Sequence, residues 1–171
     1  MSLGEYKKKR NLSSSKEPPG VTTNSRGRLS EGNRLGVLAA SIKKSPGKKL
    51  IYLIHEHHAS HLHWDLRLEM NGVLKSWAVP KSPPTAKGTK RLAINVEDHP
   101  LAYAKFHGTI PEGNYGAGKV LIWDSGKYNL IEKNPTKIIV DIHGKKLKGK
   151  YALIKTSYGG KKNGWLFFKI D

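Results

Sequence analysis

The sequence contains no cysteine. Disulfides, thiolate nucleophiles and cysteine-ligated zinc are therefore excluded, and any metal must be held by His, Asp or Glu. The lack of cysteine also fits a reducing interior. Long apolar runs are missing too. No stretch approaches the ~18 apolar residues of a membrane span, and the opening MSLGEYKKKR lacks the apolar core of a signal peptide. These absences predict a cytoplasmic protein without a membrane partner. Acidic residues are scarce: thirteen Asp and Glu stand against thirty-one Lys and Arg, a formal net charge of +18 on 171 residues. Such an excess points to a polyanion as partner, nucleic acid first. Neither a Walker A motif nor a Lys-x-Asp-Gly motif is present, so a P-loop and a ligase nucleotidyltransferase site are both excluded.

The length bounds the chain to one domain plus a tail, large enough to bury a core without staples. Residues 1–49 carry twelve Lys or Arg and three acids, a net +9 that is half of the total. SSSKEPPGVTTNSRGR is rich in Ser, Pro, Gly and Thr with little to bury, which predicts a flexible basic N-terminal arm over 1–49, largely disordered. Only GVLAASI (36–42) has the make-up of a short element there. From residue 50 onward the pattern is all-β or mainly β. Candidate strands are LIYLIH, HWDLRLEM, VLKSWAV, RLAINVED, KVLIWD, KIIVDIH, KYALIKTS and WLFFKI. Tight turns are expected at Asn71-Gly72, Ser125-Gly126, His143-Gly144 and Gly159-Gly160. Short strands at this spacing predict a compact barrel or a sandwich over 50–171.

The informative segment is HEHHASHLHWDLRLE, His55 to Glu69, with five of the eight histidines. Side chains alternate across a strand, so Trp64, Leu66, Leu68 and Met70 share an apolar face and His63, Asp65, Arg67 and Glu69 an ionisable one. Alternate residues lie roughly 6.6 Å apart along a strand, so His63 and Asp65 can reach one ion. His57 has the same parity, but six extended residues would carry it about 20 Å away. A turn near Ala59-Ser60 is needed to bring it back. His57, His63 and Asp65 are the candidate metal ligands, with a surface polar cluster as the competing reading. His55, His58 and His61 are assigned to supporting or surface positions, and His107 and His143 to turns. Arg67 beside such a site supplies a planar fork for phosphate oxygens; the competing reading is an ion pair with Glu69 or another carboxylate. In RLAINVEDH, Leu92, Ile94 and Val96 form one face and Arg91, Asn95, Glu97 and His99 the other, a second ionisable face across a groove. His99, ahead of Pro100, could donate to a phosphate oxygen or protonate a leaving group.

HASHLHWDLRLEMNGVLKSWAVPKSP and RLAINVEDHPLAYAKFHGTIPEGNYGAGKVLIWDSGKY resemble the 3′-phosphoesterase module of bacterial ligase D and its stand-alone archaeal relatives. EYKKKRNLSSSKEPPG resembles the arm that opens such modules. The resemblance implies a small β barrel, closed or partly closed, with the active site in a surface groove. It implies a metal-dependent hydrolase of DNA 3′ ends, a phosphodiesterase and phosphomonoesterase. Such an enzyme removes a 3′-terminal ribonucleoside and then the 3′-phosphate, leaving a 3′-hydroxyl for repair. Manganese (Mn2+) is the implied cofactor, and zinc or cobalt suit the same donors. By this resemblance His57, His63 and Asp65 are metal ligands, and Arg67 and His99 contact the scissile phosphate. Glu97, Tyr103, Arg91 and Lys81 match further positions that matter for one or both activities, with Lys81 and Arg91 holding the DNA. The basic run fits the family loosely and leaves Arg10 as the arm's candidate phosphate contact. His61 stands where many relatives carry Arg. The implied partners are DNA with or without a 3′-ribonucleotide, a DNA ligase, a primase-like polymerase and an end-binding protein.

The residues leave two other readings open. A non-catalytic nucleic-acid-binding β module would use Trp77, Tyr115, Trp123 and Tyr128 as stacking platforms. A histidine-rich metal-storage or sensor protein is disfavoured by the paired ionisable faces and by the charge.

Overall fold

A computed structural model of the chain describes residues 2–20, 49–160 and 162–171. Among these residues there are nine strands: β1 (Leu50–His58), β2 (Leu62–Met70), β3 (Val73–Val79), β4 (Lys90–Pro100), β5 (Gly108–Ile110), β6 (Gly118–Lys133), β7 (Lys137–His143), β8 (Lys148–Lys155) and β9 (Gly164–Lys169). One helix, α1 (Leu3–Lys9), precedes them. The strands follow one another in space as β1-β2-β3-β4-β9-β8-β7-β6, and β6 pairs back onto β1 to close the ring. Every pairing between strands is antiparallel. The result is an eight-stranded barrel, with β5 added outside on β6. No helix among the described residues is long and apolar enough to cross a membrane.

A barrel of eight strands has an interior just wide enough to be filled by its own side chains. Here Tyr52 and Ile54 from β1, Leu66, Leu68 and Met70 from β2, and Trp77 and Val79 from β3 meet Val140, Ile142, Tyr151, Leu153 and Phe167. The apolar parity expected in HWDLRLEM is therefore the barrel core. Asn71 and Gly72, with φ of 52° and 79°, make the two-residue link from β2 to β3, the left-handed pair that matches strand twist. Gly144 opens the β7–β8 turn, its N–H donating to the Leu147 carbonyl at 2.9 Å. The buried Asp124 carboxylate ties that turn down by accepting from the backbone N–H groups of Lys145, Lys146 and Leu147 and from the Tyr52 hydroxyl. Gly159 and Gly160 lie in a single 3-10 turn between β8 and β9.

Two expectations change. Ser125-Gly126 is not a turn, because β6 runs straight through it for 16 residues. β6 pairs with β1 before and across this point and with β7 after it. A side chain at Gly126 would run into the His143 carbonyl, so this glycine permits close backbone approach. The arm is the second case. Residues 2–20 are docked and not disordered: Tyr6 is fully buried, and its hydroxyl donates to the Pro18 carbonyl at 2.8 Å. A seven-residue helix is too short to persist alone. It is held by contacts with the barrel that local composition does not register. Residues 21–48, including GVLAASI, lie outside the described residues.

That docking creates a second layer. Tyr6, Leu53, Leu74, Tyr103, Phe106, Ile110 and Val120 form a smaller apolar cluster. It draws on α1, a 3-10 turn at Leu101–Lys105 and β5, and covers outward positions of β1 and β3.

Candidate active site

The β1–β2 hairpin sets the site. Its register places His57 opposite His63, His55 opposite Asp65 and Leu53 opposite Arg67. The turn over 59–61 thus returns the chain so that the two histidine rings lie 4.7 Å apart. His57 Nδ1 is 3.7 Å from Asp65 Oδ2, and His63 Nε2 is 3.7 Å from Asp65 Oδ1. One ligand atom from each of the three lies within 4.8 Å of the others. The outer nitrogens are occupied: His57 Nε2 bonds the Gly116 carbonyl at 2.8 Å and His63 Nδ1 the His61 carbonyl at 2.9 Å. A carbonyl only accepts, so each outer nitrogen carries a proton and each inner nitrogen faces Asp65, placed to give its lone pair to a cation. Burial opposes the Asp65 charge, but Arg67 and the two histidines outweigh it and hold the carboxyl below its usual range. Two imidazole lone pairs and a carboxylate, converging and pre-oriented, fit a divalent cation.

Arg67 is buried beside this group. It donates from Nε to His55 Nδ1 at 3.1 Å, from Nη1 to Ser76 Oγ at 2.8 Å and from Nη2 to Asp65 Oδ2 at 3.1 Å. Its Cζ stands 4.8 Å from the centre of the Tyr103 ring. Three of five N–H groups are thereby used, which leaves two for a ligand. Arg67 pairs with the carboxylate of Asp65, whereas Glu69 accepts from the Ile51 N–H. His55 is fully buried, and its Nε2 bonds the Phe106 carbonyl at 2.9 Å. Burial and then the Arg67 charge push it down to about 3, so it stays a neutral acceptor that fixes the guanidinium.

The opposite wall corrects the expected second face. β3 and β4 change register between Leu74 and Ser76, with Leu74 opposite His99 and Ser76 opposite Val96. This bulge in β4 lets Val96, Glu97 and His99 all line one cavity of about 220 Å³, together with His57, His63, Asp65, Arg67, Tyr103 and Arg10. Asn95 does not join them; its side-chain amide donates to the Ser76 carbonyl, and its backbone carbonyl accepts from the Asn163 side chain. Arg91 and Lys81 are absent from this cavity and line a neighbouring one. Four residue types of one strand therefore do not make a single face.

Arg10 reaches in from the arm and is the hub of the wall. Its Nε donates to Glu17 at 2.8 Å, Nη1 to Glu97 at 2.9 Å and Nη2 to His99 Nε2 at 3.1 Å. Lys9 adds a second cation on Glu97 at 3.2 Å. His99 Nδ1 lies 3.0 Å from the Glu97 carbonyl, so its proton is there and its Nε2 accepts from Arg10. Burial, then Arg67 and Arg10, hold His99 well below its usual range. It is a neutral acceptor, not a ready acid. Tyr103 donates to Glu17 at 3.0 Å. Glu17, Ser76 and Tyr6 escape sequence reasoning, because their neighbours here come from distant strands. Of the four aromatic residues considered as stacking platforms, Trp77 and Tyr128 are buried in the barrel and unavailable. Tyr115 is exposed beside Lys9 and Arg10, and Trp123 carries Lys146 over its ring. His58, His61, His107 and His143 lie outside the cavity lining.

The closed antiparallel barrel thus carries, beside a buried arginine, a group of two histidines and an aspartate that could hold a metal ion. Comparison with known proteins gives it a family. The model of the DNA ligase D 3′-phosphoesterase domain matches residues 55–155, and the chain belongs to that family. Over 174 aligned residues it is 40% identical to the multifunctional non-homologous end joining protein LigD of Pseudomonas aeruginosa, covering 98% of this chain and 18% of that protein. It is 52% identical over 110 residues to the multifunctional non-homologous end joining DNA repair protein LigD of Mycobacterium tuberculosis H37Rv, covering 62% of this chain and 14% of the relative. The counterpart in Mycolicibacterium smegmatis is 50% identical over 131 residues, 70% of this chain and 16% of that one. The chain thus spans less than a fifth of the length of these relatives.

Proposed function

We propose that the domain is a divalent-metal-dependent esterase of DNA 3′ ends, which removes a 3′-terminal ribonucleoside and a 3′-phosphate to leave a 3′-hydroxyl. The observation that carries this reading is the convergence of the inner nitrogens of His57 and His63 with Asp65, directly beside Arg67. His57, His63 and Asp65 would hold the ion, manganese before zinc or cobalt; the chemistry such an ion supplies is polarisation of a phosphoryl oxygen. Arg67 binds the phosphate through the N–H groups left free by His55, Ser76 and Asp65, in a geometry fixed before substrate arrives. Arg10 supplies a second guanidinium from the facing wall. When it turns to the phosphate, His99 Nε2 is released as a proton acceptor near the leaving or attacking oxygen. Glu97 and Tyr103, the latter through Glu17, position Arg10. Lys81 and Arg91 hold the strand away from the cut. End joining, in the names of the relatives, is the process this activity would serve, with a ligase, a primase-like polymerase and an end-binding protein as candidate partners.

Purified protein with manganese and a primer–template ending in one ribonucleotide tests the proposal. The expected result is a primer shortened by one nucleoside, first with a 3′-phosphate and then with a 3′-hydroxyl. An unchanged primer that is nevertheless bound would favour the non-catalytic module.

A further inference from the structure

We propose that the second cavity is a subsite for one nucleobase of the DNA strand, stacked on Tyr158 within about four nucleotides of the scissile phosphate. The proposal rests on the reading of the domain as a DNA 3′-end esterase and adds to it a base contact remote from the chemistry. The cavity has a volume of about 490 Å³. Its apolar floor includes Leu92 and Leu166, cross-strand partners on β4 and β9. Tyr158 stands at its edge and is 71% exposed, far more than a tyrosine with a packing role needs. Pro80, Lys81, Lys90 and Arg91 complete the lining, and none of the three cations has an ion-pair partner among the described residues. Arg91 is steadied by a bond from Nε to the Ser82 carbonyl at 2.8 Å. Its other donors remain for an anion.

An apolar floor, an aromatic plate and three unpaired cations match a nucleotide: a π-face for the ring and positive charge for the flanking phosphates. An apolar peptide would leave the cations without counterparts. The placement ties the subsite to the reaction. Val96 lines the active-site cavity and Leu92 this one, four residues apart on β4 or about 13 Å. Stacked nucleotides advance by about 3.4 Å each along a strand, which sets the reach of about four nucleotides.

The test uses the full chain and primer–template DNA in which one nucleotide at a time near the 3′ end is made abasic. Affinity is read by fluorescence anisotropy and turnover by gel. Tyr158→Ala should weaken binding of the intact primer about tenfold. It should cost nothing further on the one abasic primer that lacks the stacked base. Tyr158→Trp should bind at least as well as the unmodified protein. An equal loss from Tyr158→Ala on every abasic primer, or no loss on the intact one, would overturn the subsite. Unfolding is checked by melting, and at so exposed a position the midpoint should not move. Affinity decides the subsite and turnover decides the esterase reading. A protein that shows the abasic pattern but never shortens a primer would retain the first and lose the second.

Discussion

β2 and β7 are built from similar alternating residues, yet the two sides of the barrel treat them differently. Along β7 buried and half-exposed residues alternate, one face on the core and the other toward water. In β2 every residue from Asp65 to Met70 is buried. The difference is the second layer, since among the described residues α1, the 3-10 turn and β5 lie over the outer face on one side only. A polar side chain under that layer loses water and has to find protein partners. Asp65, Arg67, His55, Ser76 and His99 do so by bonding one another. On β7 the outward Asp141 and His143 pair at 3.1 Å while half in water, where such a contact contributes little. The same alternation therefore gives a preorganised site where it is covered and an ordinary solvated face where it is not.

The sharpest way to break this contrast is Asp65→Ala. It removes one donor of the triad and leaves Arg67 Nη2 without its carboxylate in a dry site. Turnover should fall on the order of a thousandfold, and manganese affinity by calorimetry should collapse. Undiminished metal binding would mean that the covered face is not the metal centre. Arg67→Lys comes next. It keeps the charge but loses the fork that meets His55, Ser76 and Asp65 together. A loss on the order of a hundredfold is expected, with metal affinity close to that of the unmodified protein. If affinity for the ion falls as steeply as turnover, the division between metal and phosphate residues is wrong.

The hairpin carrying His57, His63, Asp65 and Arg67 is legible in the sequence because both of its determinants are local: strand parity, and a turn near Ala59-Ser60 that a shared site for His57 and His63 requires. The wall opposite is not. A bulge in β4 is a property of backbone pairing, and it brings Glu97 and His99 to the cavity while Asn95 bonds elsewhere. The arm illustrates the same limit at longer range. Arg10, Glu17 and Tyr6 sit in a segment of low apolar content, and their contacts with Glu97, His99 and Tyr103 span more than eighty residues. Gly126 marks the third kind of failure, for a glycine that permits close approach looks in sequence like one that permits a turn.

On the uncovered side the prediction is for stability without a change in chemistry. Asp124 is buried, and its carboxylate accepts from three N–H groups of the β7–β8 turn and from Tyr52. Asp124→Ala strands those donors and should lower unfolding free energy by about 2 kcal/mol. Turnover per folded molecule should be unchanged below the lowered melting midpoint. A variant of normal stability but reduced turnover would show that the two sides are coupled.

The smallest effect is expected at Lys148 and Lys150. Both are exposed on β8, opposite His143 and Asp141 in the ladder. In the closed order β8 lies four strands from β2 in either direction, on the far side of the barrel. Replacing either lysine with Gln should change stability by less than about 0.5 kcal/mol, as for other solvated positions. The more telling measurement is the salt dependence of DNA affinity. Each Lys that neutralises a phosphate contributes about 0.9 to the log–log slope on duplex DNA. If DNA is confined to the covered side, losing these lysines leaves the slope as it was. A drop near that value for each lysine would mean that DNA wraps the barrel. The far side would then be a binding face in its own right, and its exposed lysines would have a function beyond solubility.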